Sequence, residues 1–119
     1  MNKLDNSKLT NDAKFLISSM YAEYIKRRRE QIRKSQARNF HSIDFLKTNI
    51  MPEWSKEDIL DTCFELRKYG YIEGTLADDT FYTLYITTEA ISELETDFKD
   101  TIDTVLDYAT KIKNAIPFL

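Results

Sequence analysis

SIDFLKTNIMPEWSKEDILDTCFELRKYGYIEGTLADDTFYTLYIT, residues 42–87, contains in order the signals of a short helix, a sharp turn, a second helix, a glycine stop and a two-stranded hairpin. Ser42 is placed to cap a helix that turns Ile43, Leu46 and Ile50 inward. Pro52 ends that helix, because it lacks an N–H and restricts Met51. Ser55 and Asp58 stand at capping-box spacing, and Trp54 and Ile59 at the positions of a hydrophobic staple. Ile59, Leu60, Cys63, Phe64 and Leu66 then form a buried stripe. Gly70 stops the helix in a Schellman-type turn with Tyr71 packing back on Leu66. Residues 71–76 and 81–87 are aromatic and β-branched, and Ala77-Asp78-Asp79-Thr80 between them reads as a hairpin loop.

Upstream, Thr10 or Asn11 begins a helix whose apolar positions, Ala13, Leu16, Ile17, Met20, Tyr21, Tyr24 and Ile25, recur at helical spacing. Ile32 extends the stripe, so the helix is expected to continue through the basic segment. Residues 35–39 read either as a separate turn or as a fraying helix end. Downstream, Thr87 or Thr88 caps a final helix expected to run to Asn114, roughly 40 Å long at 1.5 Å per residue. Along it Ile91, Phe98, Val105 and Ile112 fall seven apart, flanked by Leu94, Ile102, Ala109 and Ile116.

The fold class expected is mainly α with a small β-hairpin, a winged helix-turn-helix with a long C-terminal helix. Residues 1–9 read as a flexible arm, 10–87 as the winged-helix domain and 88–119 as a dimerisation helix. The seam Phe98, Ile102, Val105, Ala109, Ile112 and Ile116 is the expected homodimer contact, with intramolecular packing on the first helix as its alternative.

The chain has 119 residues, 42% of them hydrophobic and 31% charged, with only two Gly and two Pro; this describes one ordinary helix-rich domain, not a low-complexity chain. The first nine residues offer no signal-peptide core and nothing long enough to cross a bilayer, so a cytoplasmic protein without membrane contact is expected. Its single cysteine makes neither an internal disulfide nor a thiolate metal cage.

The net charge of −3 conceals a strong asymmetry. Residues 26–38 carry seven cations against Glu30, whereas residues 73–110 carry ten carboxylates against Lys99. The candidate nucleic-acid contacts are Arg27, Arg28, Arg29, Arg33, Lys34 and Arg38, with Lys26 a weaker one. Cations on one helix face neutralise phosphates without reading sequence. The presumed recognition helix opposes this: its outward face carries Asp58, Asp61, Thr62, Glu65, Lys68 and Tyr69, and the hairpin tip is Asp78-Asp79. Three carboxylates on that face match poorly to DNA, so the acidic set Asp58, Asp61, Glu65, Asp78 and Asp79 is an alternative surface for a basic protein partner. No enzyme, cofactor or metal is expected. There is no phosphate-cradling glycine loop and no His/Cys cluster, Cys63 lies on a buried stripe, and His41 stands beside a helix start.

Tyr21-Ala-Glu-Tyr-Ile-Lys-Arg-Arg-Arg, Met51-Pro-Glu-Trp-Ser, Glu65-Leu-Arg-Lys-Tyr-Gly-Tyr-Ile and Ile86-Thr-Thr-Glu-Ala-Ile together resemble small winged-helix proteins of bacteria, phages and mobile elements, YjcQ-like proteins among them. Over about residues 10–110 the resemblance implies a helical core, a wing, a dimerising C-terminal helix and a role in transcriptional control. The function expected is a dimeric DNA-binding or transcription-regulatory protein. The alternative is an interaction adaptor or mobile-element accessory protein that uses the same scaffold without reading DNA.

Overall fold

The computed structural model describes residues 3–98 and 102–116. It is mainly helical with a small antiparallel β element. Helices α1 (Asn11–Arg29), α2 (Lys34–Ala37), α3 (Ile43–Asn49) and α4 (Lys56–Lys68) precede strands β1 (Ile72–Glu73), β2 (Leu76–Ala77), β3 (Thr80–Phe81) and β4 (Tyr85–Ile86), and α5 (Thr88–Phe98) and α6 (Ile102–Asn114) follow.

The helix starts follow local chemistry. Thr10, Ser42 and Ser55 each accept, through the side-chain hydroxyl, the N–H three residues on, from Ala13 at 3.2 Å, Phe45 at 3.2 Å and Asp58 at 3.1 Å. Lys47 closes the turn between α3 and α4, its ammonium donating to the carbonyls of Pro52 at 2.7 Å and Trp54 at 2.6 Å. At the end of α4, Gly70 adopts φ +83°, Tyr71 N–H donates to Leu66 O at 2.9 Å and Gly70 N–H to Arg67 O at 3.1 Å, the paired bonds of a Schellman stop.

The hairpin is two short ladders offset by one residue. Ile72 pairs with Ile86 at its base and Leu76 with Phe81 near its tip. Two residues therefore separate the ladders on the outgoing strand and three on the returning one, which is a bulge. Gly74 sits at the bulge because a Cβ there would lie 1.9 Å from Thr83 O. Asp78 and Asp79 make the tip at φ +51° and +61°, the signs of a type I′ turn. The returning strand has a second neighbour: Ile86 N–H donates to Arg38 O at 2.9 Å and Phe40 N–H to Leu84 O at 2.7 Å, with Asn39 bridging Tyr85.

Three sequence expectations are corrected. First, α1 stops at Arg29 and does not run on through the basic segment. Gln31 turns into the left-handed region at φ +65°, Ile32 N–H donates to Arg27 O at 3.0 Å and Gln31 N–H to Arg28 O at 3.0 Å, a Schellman stop without glycine. Residues 34–37 are then a separate turn of helix, anchored by the fully buried Ala37.

Second, the C-terminal segment is two helices and not one rod. The rings of Phe98 and Tyr108 lie 5.3 Å apart; ten residues of straight helix would separate them by about 15 Å. Helix α6 folds back along α1, the most extensive helix pairing in the molecule. Phe98, Val105, Ala109 and Ile112 are buried in the chain itself, and Ile102 and Ile116 are half-buried against the same core. The seam expected to join two copies is thus covered intramolecularly.

Third, residues 3–9 of the expected flexible arm are packed. Leu4 is fully buried, and the N–H groups of Lys3 and Leu4 donate to the two carboxylate oxygens of Asp97 at 2.9 and 3.0 Å. The expectations for residues 1–2, for the helix across 99–101 and for the tail residues Pro117, Phe118 and Leu119 lie outside the described residues.

Candidate nucleic-acid interface

The basic run divides by environment. Arg27, expected to contact phosphate, points into the fold. Its Nη1 donates to Ala37 O at 3.0 Å and Asn39 O at 2.7 Å, its Nε pairs with Glu23 at 3.2 Å, and its guanidinium carbon stands 4.6 Å from the centre of the Phe40 ring. A guanidinium spent on two carbonyls, a carboxylate and a ring has little left for a phosphate. Arg27 is therefore the bolt that ties the end of α1 to the segment at residues 37–39. Arg38 is half-committed: Nη1 donates to Ile86 O at 3.2 Å and the guanidinium stacks 5.0 Å over Tyr85.

Arg28, Arg29, Arg33 and Lys34 are exposed. The left-handed turn at Gln31 redirects the chain, so that cations from the end of α1 and the start of α2 meet instead of lining one rod. Arg28 is steadied by an Nη1 bond to Ile32 O at 3.1 Å. Arg28, Arg29 and Lys34 surround a recess of about 330 Å³ whose other walls are Tyr24, Ile25 and Glu95. A neighbouring recess of about 300 Å³, lined by Ser35, Arg38, Asn39, Thr83 and Tyr85, continues the surface from α2 onto the returning strand of the hairpin. The cations around the first recess form a basic shelf where α1 gives way to α2.

The acidic set lies elsewhere. Asp58 and Asp61 are exposed on α4 and Asp78 and Asp79 on the hairpin tip. Glu65, expected to face a partner, is half-buried and accepts from Thr10 N–H and Thr10 Oγ1, both at 2.7 Å. It clamps the start of α1. Thr62, expected to face outward, is buried and donates to Asp58 O at 2.7 Å. Asp12 lies close enough for its carboxyl to be raised above the ordinary range, first by desolvation and then by the charges of Asp58 and Glu65.

Leu60 and Phe64 of the expected α4 stripe are half-buried, and Phe64 packs against Phe81 of the hairpin with ring centres 5.4 Å apart. Cys63 is fully buried, and burial pushes its thiol up to about 12. His41 is exposed, stacked edge-on against Phe45 at 5.2 Å, in a left-handed turn at φ +64°. Among the described residues, no group of three or more His, Cys, Asp or Glu side chains is placed to hold a metal ion, and no helix is long and apolar enough to cross a membrane.

Sequence reading missed Glu95, which joins the basic recess from α5, some 60 positions downstream, and it placed Tyr24 and Ile25 only in the core. No local pattern marks Glu95; the tertiary contact alone recruits it. Comparison of the chain with protein families, characterised proteins and solved structures finds no match.

Proposed function

We propose that the protein is a winged-helix module that binds double-stranded DNA by its phosphate backbone, through Arg28, Arg29, Arg33 and Lys34, in a regulatory role. The observation that carries this reading is the gathering of cations from two separate helices around one recess. Charges that served only to offset the dipole of α1 would need no second helix to join them.

The order of elements supports the scaffold. Helix α1, the segment at residues 38–40 whose Asn39 bridges Tyr85, the pair α3 and α4 joined by a tight turn, and the hairpin stand in the order that a winged helix would have. The outward face of α4 sets the mode of binding. Asp58 and Asp61 repel phosphates, which favours the shelf over α4 as the contact and makes binding insensitive to sequence.

Reversing Arg28 and Lys34 together to Glu is expected to abolish duplex binding at moderate salt, whereas Asp58→Lys with Asp61→Lys leaves it intact or strengthens it. Fluorescence anisotropy of a labelled duplex reads both. Equal binding by the Arg28/Lys34 variant and the parent would remove the shelf from the mechanism. The clustering of Asp12, Asp58 and Glu65 favours a second reading, in which the acidic end engages a basic protein. That reading expects the Asp58/Asp61 reversal to destroy partner capture.

A further inference from the structure

The recess on the shelf has a composition that a DNA backbone does not use fully. Among the described residues it is lined by three cations, Arg28, Arg29 and Lys34, and one carboxylate, Glu95, together with Tyr24 and Ile25, each 4% exposed. A phosphodiester carries one negative charge and is flanked on both sides by chain. A terminal phosphate carries about −1.5 to −2 at neutral pH and enters a concave site end-on. Three cations against one carboxylate balance the second of these better than the first. Glu95 is misplaced for a site that takes phosphate alone, since a carboxylate repels an anion, but it accepts hydrogen bonds from hydroxyl groups. A recess of about 330 Å³ is at the small end of ligand-binding cavities, which run from about 300 to 1,000 Å³.

We propose that the recess between α1, α2 and α5 binds a small phosphomonoester with a hydroxylated ring, of the sugar phosphate or nucleoside monophosphate class. Arg28, Arg29 and Lys34 take the phosphate, Glu95 accepts from the ring hydroxyls, and the buried Tyr24 and Ile25 close the recess. Since Arg28, Arg29 and Lys34 also serve the shelf, the ligand and DNA compete. Binding rests on the recess itself, and the competition rests in addition on the DNA reading above.

Isothermal titration calorimetry on the full chain at near-physiological salt, with ribose 5-phosphate, adenosine 5′-monophosphate, inorganic phosphate and unphosphorylated ribose as probes, tests this. Saturable 1:1 binding of one or both phosphomonoesters, with none of ribose, is the expected result, and the tighter of the two identifies the source. Lys34→Ala, at an exposed position, should weaken the phosphomonoester about tenfold, as loss of one charge-assisted hydrogen bond does. Glu95→Gln should weaken ribose 5-phosphate but hold or strengthen inorganic phosphate, an opposition that general surface charge does not produce.

Absence of saturable binding of both phosphomonoesters overturns the proposal, as does binding that Lys34→Ala leaves unchanged, or a Glu95→Gln effect of the same sign on both anions. A parallel duplex titration separates the two readings. Duplex binding without phosphomonoester binding removes the pocket and keeps the shelf, and the reverse removes the shelf and keeps the pocket.

Discussion

The two ends of α1 are built by the same device with opposite charge. At its start one carboxylate, Glu65, is drawn in to hold Thr10, while Asp58 and Asp61 stay in solvent. At its finish one guanidinium, Arg27, is drawn in to hold the carbonyls of Ala37 and Asn39, while Arg28, Arg29, Arg33 and Lys34 stay outside. In each cluster one member is tied to backbone groups of the fold, Glu65 to Thr10 and Arg27 to Ala37 and Asn39, while the others lie at the surface. The ends differ in depth. Arg27 has a side chain only 13% exposed and two carbonyls depending on it, whereas Glu65 is half-buried at the surface.

That contrast is open to measurement, beginning with the largest effect. Arg27→Ala leaves the Ala37 and Asn39 carbonyls without their donor and removes the stacking on Phe40; it is expected to cost about 2–4 kcal/mol in urea unfolding. Glu65→Ala frees only one exposed N–H and one hydroxyl and relieves repulsion on Asp12, so about 1 kcal/mol is expected. A larger loss for Glu65→Ala than for Arg27→Ala would invert the proposed roles.

The Cys63 thiol, on the inward side of α4, reports which end opens. Burial and a pKa of about 12 make it inert to a disulfide reagent at pH 8 in the folded protein. Labelling should accelerate more in Glu65→Ala than its loss of global stability accounts for, and in Arg27→Ala only in step with global unfolding. Identical behaviour of the two variants would show that the ends do not open separately.

Smaller effects come from backbone strain. Gln31→Gly is expected to stabilise by about 0.5–1 kcal/mol, because a glycine holds the left-handed turn at the basic end without a Cβ clash. Asp79→Gly in the hairpin turn should act similarly. The smallest effect is electrostatic. Glu65→Gln removes one of the charges that raise Asp12, so the Asp12 titration followed by NMR should move down towards its ordinary value without reaching it, since desolvation is the larger cause. With a folded pKa above the unfolded one, Asp12 weakens the native state when ionised. The penalty is present at neutral pH and relieved as pH falls through the folded pKa. No movement would mean that Glu65 and Asp12 do not share a field.

What sequence made legible was chemistry complete within a few residues: the hydroxyl caps at Thr10, Ser42 and Ser55, the glycine stop at Gly70, and the turn through Asp78 and Asp79. What it hid depended on distant partners. Gln31 ends α1 in a conformation that normally advertises itself as glycine, and the half-buried Ile32 packed on the core holds it there. The seven-residue spacing of Phe98, Val105 and Ile112 fits one long rod and equally fits two helices folded onto a common neighbour. The Phe98–Tyr108 contact and the packing of α6 on α1 distinguish them. The run of arginines likewise contains no sign that Arg27 turns inward, because its acceptors lie ten and twelve residues ahead.

The shelf is tested most directly by a salt series of duplex binding followed by anisotropy. With four phosphate contacts from Arg28, Arg29, Arg33 and Lys34, the account predicts a slope of log affinity against log salt of about −3.6, or roughly a hundredfold loss between about 50 and 200 mM. A slope near zero, or no binding at the lowest salt, would contradict it.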